Sequence, residues 1–301
     1  MITYGYLDTD QQSDALALWN ASVEFDRMTA ALFDEKVFED DAVERRLRFA
    51  AMYGDRTIGI AIGSTRSPRT NCGCIKLFCV HPDFRRQGIG TELVRRAESA
   101  FRTFGHVAVR LGESPPNYLQ PGIDIRSTDT LAFVDACGFS RFGETQNLDV
   151  NLTSAELETE HDVQRLAQEG IRVERASMET RGVAQDFLKD AFPAWVDEIA
   201  PTFENTPTSL HIATCSAQVV AFAAYDANNI GRGWFGPMGT QPSYRGRGIG
   251  KVLLKRCLAD LLRQGRTTAT IPWVGPVDFY SKTVGAVVSR TFIRFEKLIR
   301  Q

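Results

Sequence analysis

Residues Val80–Gly90 read VHPDFRRQGIG, and residues Thr240–Gly250 read TQPSYRGRGIG. Both stretches combine a proline turn, an arginine and two glycines that are separated by one residue. They align at a single offset, because Pro82 and Pro242 stand 160 positions apart and the other matching residues keep that spacing. Two copies of a unit this long indicate a duplicated domain and not a solenoid of short repeats.

The residues around each copy follow the same order of signals. Short apolar strands precede each glycine pair, a helix with one apolar face begins there, and a strand and a short helix follow. The sequence therefore predicts a mixed α/β fold, with an α+β mixed sheet, in two tandem domains. We place them at residues 1–150 and 151–301, and about 151–170 is expected to be a linker that contains a helix.

Composition excludes several classes of protein. The 301 residues are 43% hydrophobic and 24% charged, with a formal net charge of −2, so bulk charge does not favour a nucleic acid or membrane partner. No apolar run approaches the ~20 residues of a membrane span, and the first residues lack the pattern of a secretion signal. The six cysteines lack zinc-ligand spacing. We expect a cytoplasmic protein without a bound metal.

Two common phosphate-binding loops do not fit the glycine pairs. A Walker loop needs Gly-Lys-Ser/Thr after four intervening residues, but three residues separate Gly246 from Gly250, and Val252 follows Lys251. A dinucleotide fingerprint needs a third glycine, and Leu93 and Leu253 occupy that position. The remaining pattern is Arg-x-x-Gly-x-Gly at a helix start. There the free N–H groups of the first turn, the helix dipole and an arginine favour a diphosphate.

At these residues the chain resembles the GCN5-related N-acetyltransferases, or GNAT family, in both halves. The resemblance implies that acetyl-CoA is the cofactor, with its diphosphate on each glycine loop and its pantetheine arm beside the preceding strand. The implied cofactor-binding residues of the first domain are Phe78, Cys79, Val80, Arg85, Arg86, Gln87, Gly88, Ile89, Gly90 and Thr91. Those of the second domain are Met238, Gly239, Thr240, Arg245, Gly246, Arg247, Gly248, Ile249, Gly250 and Lys251.

The resemblance also implies catalytic residues, and these occur in the second copy. Tyr280 is the expected general acid, with Phe279 turned to the core and Tyr280 to the cofactor cleft. The Gly/Pro-rich strand that ends near Gly239 is expected to bulge and to aim a backbone N–H at the thioester oxygen. The first copy has Phe133 and Val134 instead. We therefore expect it to bind acetyl-CoA without catalysis.

The expected reaction is transfer of an acetyl group to a primary amine of a small molecule or peptide. The expected state is a monomer or a homodimer. The general base is unassigned, with Asp278, Glu198 and Glu204 as candidates. An apolar wall for the acceptor is predicted from three aromatic residues, Phe192, Trp195 and Phe203.

Two other functions remain open. The layout is similar to mycothiol synthase, so a transferase of that kind is one. A catalytically silent acyl-CoA-binding regulatory protein is the other. The first domain also has 14 extra residues between its glycine loop and its last helix, within ESPPNYLQPGIDIRSTD. We expect this insertion to pack over the cleft of the first domain or against the second domain, or to form an ordered surface loop without a ligand role.

Overall fold

The structure, a computed structural model, describes residues 1–299. The chain divides into two compact units. One is residues 1–145 together with the C-terminal stretch from residue 291, and the other is residues 146–290. Each unit is a mixed α/β fold, which confirms the fold class predicted from the sequence.

The first unit has a sheet with helices on both faces. Its elements in chain order are β1 (Ile2–Tyr6), α1 (Gln12–Ser22), α2 (Ala30–Val37), β2 (Arg48–Tyr53), β3 (Arg56–Ser64), β4 (Cys72–Val80), α3 (Ile89–Thr103), β5 (Ala108–Leu111), β6 (Ile123–Asp124), α4 (Thr128–Ala136) and the start of β7 (Ser140–Asn151). The strands β1 to β4 form antiparallel neighbours, and β5 joins β4 in parallel.

The second unit repeats this plan after a connecting helix. Its elements are the end of β7, α5 (Glu160–Gln168), β8 (Ile171–Arg175), α6 (Arg181–Ala191), α7 (Val196–Ile199), β9 (Leu210–Cys215), β10 (Gln218–Tyr225), β11 (Phe235–Thr240), α8 (Ile249–Arg263), β12 (Thr268–Ile271), α9 (Val277–Val284) and the start of β13 (Val287–Leu298). The strands β8 to β11 are antiparallel neighbours, and a parallel bridge joins Trp234 to Thr270 at β12.

The last strand of each copy pairs in the other unit. The end of β7 is antiparallel to β12, with Thr268 opposite Asn151, whereas the end of β13 is antiparallel to β5, with Glu296 opposite Arg110. The division of the sequence at 150 and 151 keeps all of β13 in the second domain, whereas the structure assigns it from residue 291 to the first unit. The repeated motif ends before these strands, so it carries no information about their partners.

Apolar side chains of the first sheet face two helical layers. On one face α3 buries Leu93, Ala97 and Phe101, and on the other Trp19 and Phe33 of α1 and α2 are buried. In the second unit α8 buries a similar row, and Phe222 contacts aromatic residues from the α6 side. Both glycine loops thus lie where a central strand ends and a buried helix begins.

Candidate acyl-CoA site

Each glycine loop has the geometry of an anion-binding helix start. Gly88 is the N-cap of α3 with φ +78°, and Gly248 is the N-cap of α8 with φ +82°. This left-handed conformation favours glycine. Neither N-cap supplies a side-chain cap, so first-turn N–H groups of both helices are available to a ligand.

The two loop arginines make the same bond in both units. Arg85 Nε donates to the carbonyl oxygen of Val80 at 3.2 Å, and Arg245 Nε donates to that of Thr240 at 3.2 Å. Arg85 also donates to the carbonyl oxygen of Ser22 at 3.1 Å. These bonds tie the loop to the end of the preceding strand, so the arginines help to fix the shape of the loop.

Both central strands carry a β-bulge at the equivalent position. The register of β11 shifts by one residue opposite Ala223 and Tyr225, at the stretch that contains Gly236. That of β4 shifts opposite Ile62 and Gly63, where Lys76 is the extra residue. Lys76 and Gly236 are 160 positions apart, so the bulge is part of the repeat. The bulge of β4 forms without the glycine and proline residues that mark the bulge of β11 in the sequence.

Hydrogen-bond alternation shows which strand amides are available. Gln241 N–H donates to Val220 at 2.9 Å, so in this register the N–H of Gly239 faces β10 and that of Met238 faces the opposite edge. In the first unit His81 N–H donates to Ile58 at 2.8 Å. By the same alternation, the N–H of Phe78 faces the edge where β5 diverges.

A groove of about 590 Å³ starts at the glycine loop of the first unit and follows β4. It brings together nine of the ten predicted cofactor-binding residues of this unit, namely Phe78, Cys79, Val80, Arg85, Arg86, Gly88, Ile89, Gly90 and Thr91; Gln87 does not line it. The opposite wall is α4, with Asp129, Ala132, Phe133 and Ala136. Sequence reasoning missed this wall, although its spacing of three and four residues marks one helix face.

A smaller cavity of about 80 Å³ lies deeper in the same unit. It shares Val23, Phe78, Thr130 and Phe133 with the groove, so the two spaces are neighbours. The rings of Phe78 and Phe133 stack at 5.3 Å where the two spaces meet. The deeper cavity sits where β4 and β5 separate beyond Ile75, the last residue of β4 that is paired with β5.

In the second unit the two residues of the predicted catalytic pair have different surroundings. Phe279 is half-buried, and its ring would lie 3.9 Å from a Cβ at Gly250. Tyr280 is 7% exposed and packs edge-on to Phe235 at 6.2 Å. Tyr280 is therefore the more buried residue of the pair. Burial alone raises the pKa of Tyr280 to about 12.

Comparison with the first unit locates Tyr280 relative to the strand edge. The residue at its place in α4 is Val134, which lines the deeper cavity of that unit. Phe279 corresponds to Phe133, which stands between groove and cavity. Tyr280 thus occupies the position that faces the separating strands in this fold.

Aromatic side chains pack on the other face of β11. Phe192 and Trp195 stack at 5.5 Å, and both contact Phe222 edge-on. A Cβ at Gly239 would lie 2.8 Å from the Phe192 ring, so only glycine fits there. The predicted aromatic wall is present at Phe192 and Trp195, while Phe203 is buried in the same cluster.

The predicted base candidates are held by other groups. Asp278 pairs with Lys282 at 3.2 Å, Glu204 with Arg181 at 2.9 Å, and Glu198 accepts a hydrogen bond from Asn228 at 3.0 Å. The carboxylates of Asp278 and Glu204 are largely exposed. Nothing in these contacts singles out one of the three as a base.

The connecting helix α5 contacts the second glycine loop. Arg165 donates to the carbonyl oxygen of Arg247 at 2.9 Å and would lie 3.0 Å from a Cβ at Gly248. Lys251 pairs with Asp162 at 3.2 Å. The corresponding place at Gly88 is open, with no atom within 4 Å of a Cβ built there. The linker helix was predicted from the sequence, whereas its contact with the second glycine loop was not.

Comparison with known proteins assigns the family. The model of the acetyltransferase (GNAT) family matches residues 13–118 and 180–284. The chain therefore belongs to the acetyltransferase (GNAT) family, with two copies of its domain, and this family transfers acyl groups from acyl-CoA. No curated protein sequence matches the chain.

Solved structures share the tandem fold at low identity. A glucosamine N-acetyltransferase region of a fungal multi-domain β-N-acetylglucosaminidase has a TM-score of 0.83 at 18% identity; the match covers 99% of this chain and 38% of that one. A GCN5-related N-acetyltransferase from Sphaerobacter thermophilus has a TM-score of 0.74 at 18% identity, over 100% and 96%. A tandem GNAT protein of the clavulanic acid biosynthesis pathway has 0.72 at 13%, over 100% and 99%.

No helix within residues 1–299 has the length and apolar character that crossing a membrane requires.

Proposed function

We propose that the protein transfers an acetyl group from acetyl-CoA to a primary amine of a small molecule or peptide. The observation that carries this proposal is the pairing of a glycine loop with a bulged strand in both units, and in the first unit the two border a groove of about 590 Å³. A diphosphate on the loop and an extended arm along the open strand edge would leave the thioester at the bulge.

The proposed binding residues are those named from the sequence. The loops Arg85–Thr91 and Arg245–Lys251 hold the diphosphate in the two units. The pantetheine arm pairs with the open edges of β4 and β11, where the N–H groups of Phe78 and Met238 are available. Backbone N–H groups point to alternate edges along β11, and this favours the N–H of Met238 over that of Gly239 as the donor to the thioester oxygen.

The proposed chemistry takes place in the second unit. The amine nitrogen attacks the thioester carbon, a C–N bond forms, and the C–S bond breaks. Tyr280 gives its proton to the departing thiolate, and the attacking nitrogen loses a proton to solvent. With a pKa of about 12, Tyr280 remains protonated at neutral pH and has a proton to give.

A catalytically silent acyl-CoA-binding protein is the second candidate. It is favoured by Val134, which stands in the first unit where Tyr280 stands in the second and cannot donate a proton. In this alternative both units bind the cofactor without turnover.

Release of free thiol from acetyl-CoA in the presence of an amine panel tests the proposal. Glucosamine belongs in the panel because a structurally similar protein is a glucosamine N-acetyltransferase, together with polyamines and peptides with a free N-terminus. Tyr280→Phe is expected to lower turnover by about 100-fold. The matched control is Tyr225→Phe, a buried tyrosine that bonds to Arg175 at 3.2 Å and is expected to keep its turnover.

The outcomes separate the two candidates. Acceptor-dependent thiol release that Tyr280→Phe abolishes supports the transferase. Thiol release with no acceptor in the panel above background, although acetyl-CoA binds, supports the silent protein. Full activity of Tyr280→Phe removes Tyr280 from the mechanism.

A further inference from the structure

The connecting helix α5 is held in place by its apolar side chains. Leu166 is fully buried in the core of the second unit, and Val163 packs against the same core. Asp162, Arg165 and Glu169 follow each other at steps of three and four residues, so their side chains share the neighbouring face of the helix. Because the core fixes the apolar side chains, this charged face has a defined position beside the second glycine loop.

Arg165 is the residue of this face that reaches the start of α8. Its Nη2 donates to the carbonyl oxygen of Arg247 at 2.9 Å and would lie 3.0 Å from a Cβ at Gly248, the N-cap of α8. Its Nη1 donates to Glu169 at 2.7 Å. These bonds use two of the five N–H donors of a guanidinium group, and the side chain is 38% exposed. Donors therefore remain for a ligand at the loop.

A second cation lies in the first turn of α8. Lys251 is the third residue of this helix, and its ammonium group pairs with Asp162 of α5 at 3.2 Å. The helix dipole places positive partial charge at this end, so a cation here is unfavourable unless an anion lies close to it. Arg165 and Lys251 together are therefore an arrangement that a bound phosphate would stabilise.

The two glycine loops differ in charge. Residues 82–92 contain two arginines and two carboxylates, whereas residues 242–252 contain three cations and no carboxylate. In the first loop Arg85 also lies 4.0 Å from the carboxylate of Asp129 on the opposite wall of the groove. Among the described residues, no atom lies within 4 Å of a Cβ at Gly88. Helix α5 thus adds a cation to the more positive loop, at a place that is open in the other.

We propose that Arg165 binds a phosphate group of acetyl-CoA at the second glycine loop, which makes the connecting helix part of this cofactor site. The inference rests on the proposed function, because it requires coenzyme A at the loop Arg245–Lys251. A guanidinium group and a phosphate form short, charge-assisted hydrogen bonds, and Arg165 stands where the N–H groups of the helix start also favour phosphate. Asp162 opposes the ligand, because its carboxylate holds Lys251 and repels an anion.

The two charged residues of α5 should therefore act in opposite directions. Arg165→Gln removes a cation from the loop and should weaken binding. Asp162→Asn removes an anion and releases Lys251, so it should strengthen binding. If α5 only held the loop in shape, both substitutions would weaken binding, because each breaks a contact between α5 and the start of α8.

Calorimetry with acetyl-CoA on the full chain measures this difference. Gly88→Asp disables the first loop in every variant, so that the titration reports on the second loop. In this background Arg165→Gln is expected to raise the Kd by about 10-fold, and Asp162→Asn is expected to lower it by about 2- to 5-fold. The matched control is Arg172→Gln, an exposed arginine of β8 that pairs with Glu174 at 3.1 Å, and its Kd should stay within about twofold of the parent value.

Salt and a second ligand separate the effect of charge from that of shape. The loss caused by Arg165→Gln should shrink as salt increases, because exposed charges are screened. Acetyl-CoA that lacks its ribose 3′-phosphate locates the contact. The same loss with this ligand assigns Arg165 to the diphosphate, and no loss assigns it to the 3′-phosphate. Thermal unfolding without ligand checks that each variant is folded.

The outcomes distinguish the inference from the function beneath it. A Kd of Arg165→Gln within about twofold of the parent value, a loss that does not depend on salt, or weaker binding by Asp162→Asn overturns Arg165 as a phosphate ligand while acetyl-CoA binding stands. A chain with both Gly88→Asp and Gly246→Asp provides the blank. If the Gly88→Asp chain binds acetyl-CoA no better than this blank, the second loop is not a cofactor site, and the proposed function of the second unit falls together with the inference.

Discussion

A carboxylate placed in the glycine loop of the first unit should block its ligand by charge alone. Gly88 has φ +78° and open space around a built Cβ, and Asp and Asn are the side chains that best tolerate this conformation. Gly88→Asp and Gly88→Asn therefore differ in charge and hardly in shape. The comparison isolates the electrostatic part of diphosphate binding.

The expected size follows from Coulomb's law. Two unit charges about 4 Å apart repel by about 1 kcal/mol in bulk water and about 4 kcal/mol at the effective dielectric constant near a protein surface. Because the loop is exposed, we expect a value of about 1.5–3 kcal/mol for Gly88→Asp, which is about a 10- to 100-fold loss of affinity. Gly88→Asn should lose no more than a few-fold.

Calorimetric titration with acetyl-CoA measures both variants at low and at moderate salt. The difference between Asp and Asn should shrink as salt increases, because exposed charges are screened. The same comparison at Gly246, which also has a positive φ and open space, reports on the second loop. Equal Kd values for the Asp and Asn variants at both loops would refute the view that these loops bind the diphosphate.

Two further predictions concern buried charges. Lys76→Met leaves Asp40 buried without the ammonium partner that now lies 2.5 Å away. Chemical denaturation should show that the free energy of unfolding falls by about 3–5 kcal/mol, and the double variant Lys76→Met/Asp40→Asn should recover most of this loss. Equal losses in the single and double variants would contradict this. Burial lowers the pKa of His211, which bonds to Asp260 at 2.7 Å, so the unfolded chain takes up a proton first as the pH falls and the folded chain loses stability below about pH 6.5. Between pH 7.5 and 5.5 the unfolding temperature Tm should fall less steeply with decreasing pH for His211→Gln than for the unchanged chain. The same slope of Tm against pH in both would exclude His211 as the cause.

Much of the fold could be predicted because its strongest signals are local. The loop glycines, the apolar face of α8 and the short apolar strands before it need only neighbouring residues to be recognised. The exchange of the ends of β7 and β13 could not be predicted, since pairing depends on partners more than 100 positions away. The connecting helix was expected within about residues 151–170, and it spans Glu160–Gln168.

The candidate site shows the same division between local and distant information. Groove residues on the loop and β4 were identified because the motif contains them. The α4 wall and the deeper cavity were missed because their residues come from segments that share no motif. The bulge at Lys76 was not predicted because no glycine or proline marks it in the sequence, and the ion pair between Lys76 and Asp40 joins residues 36 positions apart.

The equivalent bulges show what the duplication preserves and what it leaves free. Gly236 adopts φ +124°, a conformation that a side chain rarely takes, whereas Lys76 forms the same irregularity with a buried side chain. A bulged strand beside the glycine loop is therefore common to both units, and so is the arginine bond that holds the loop to the strand. The units differ in the side chains at that edge, Val134 against Tyr280 and Lys76 against Gly236. A division of labour between them would consequently depend on these side chains and on the insertion, because the backbone framework of glycine loop and bulged strand is the same.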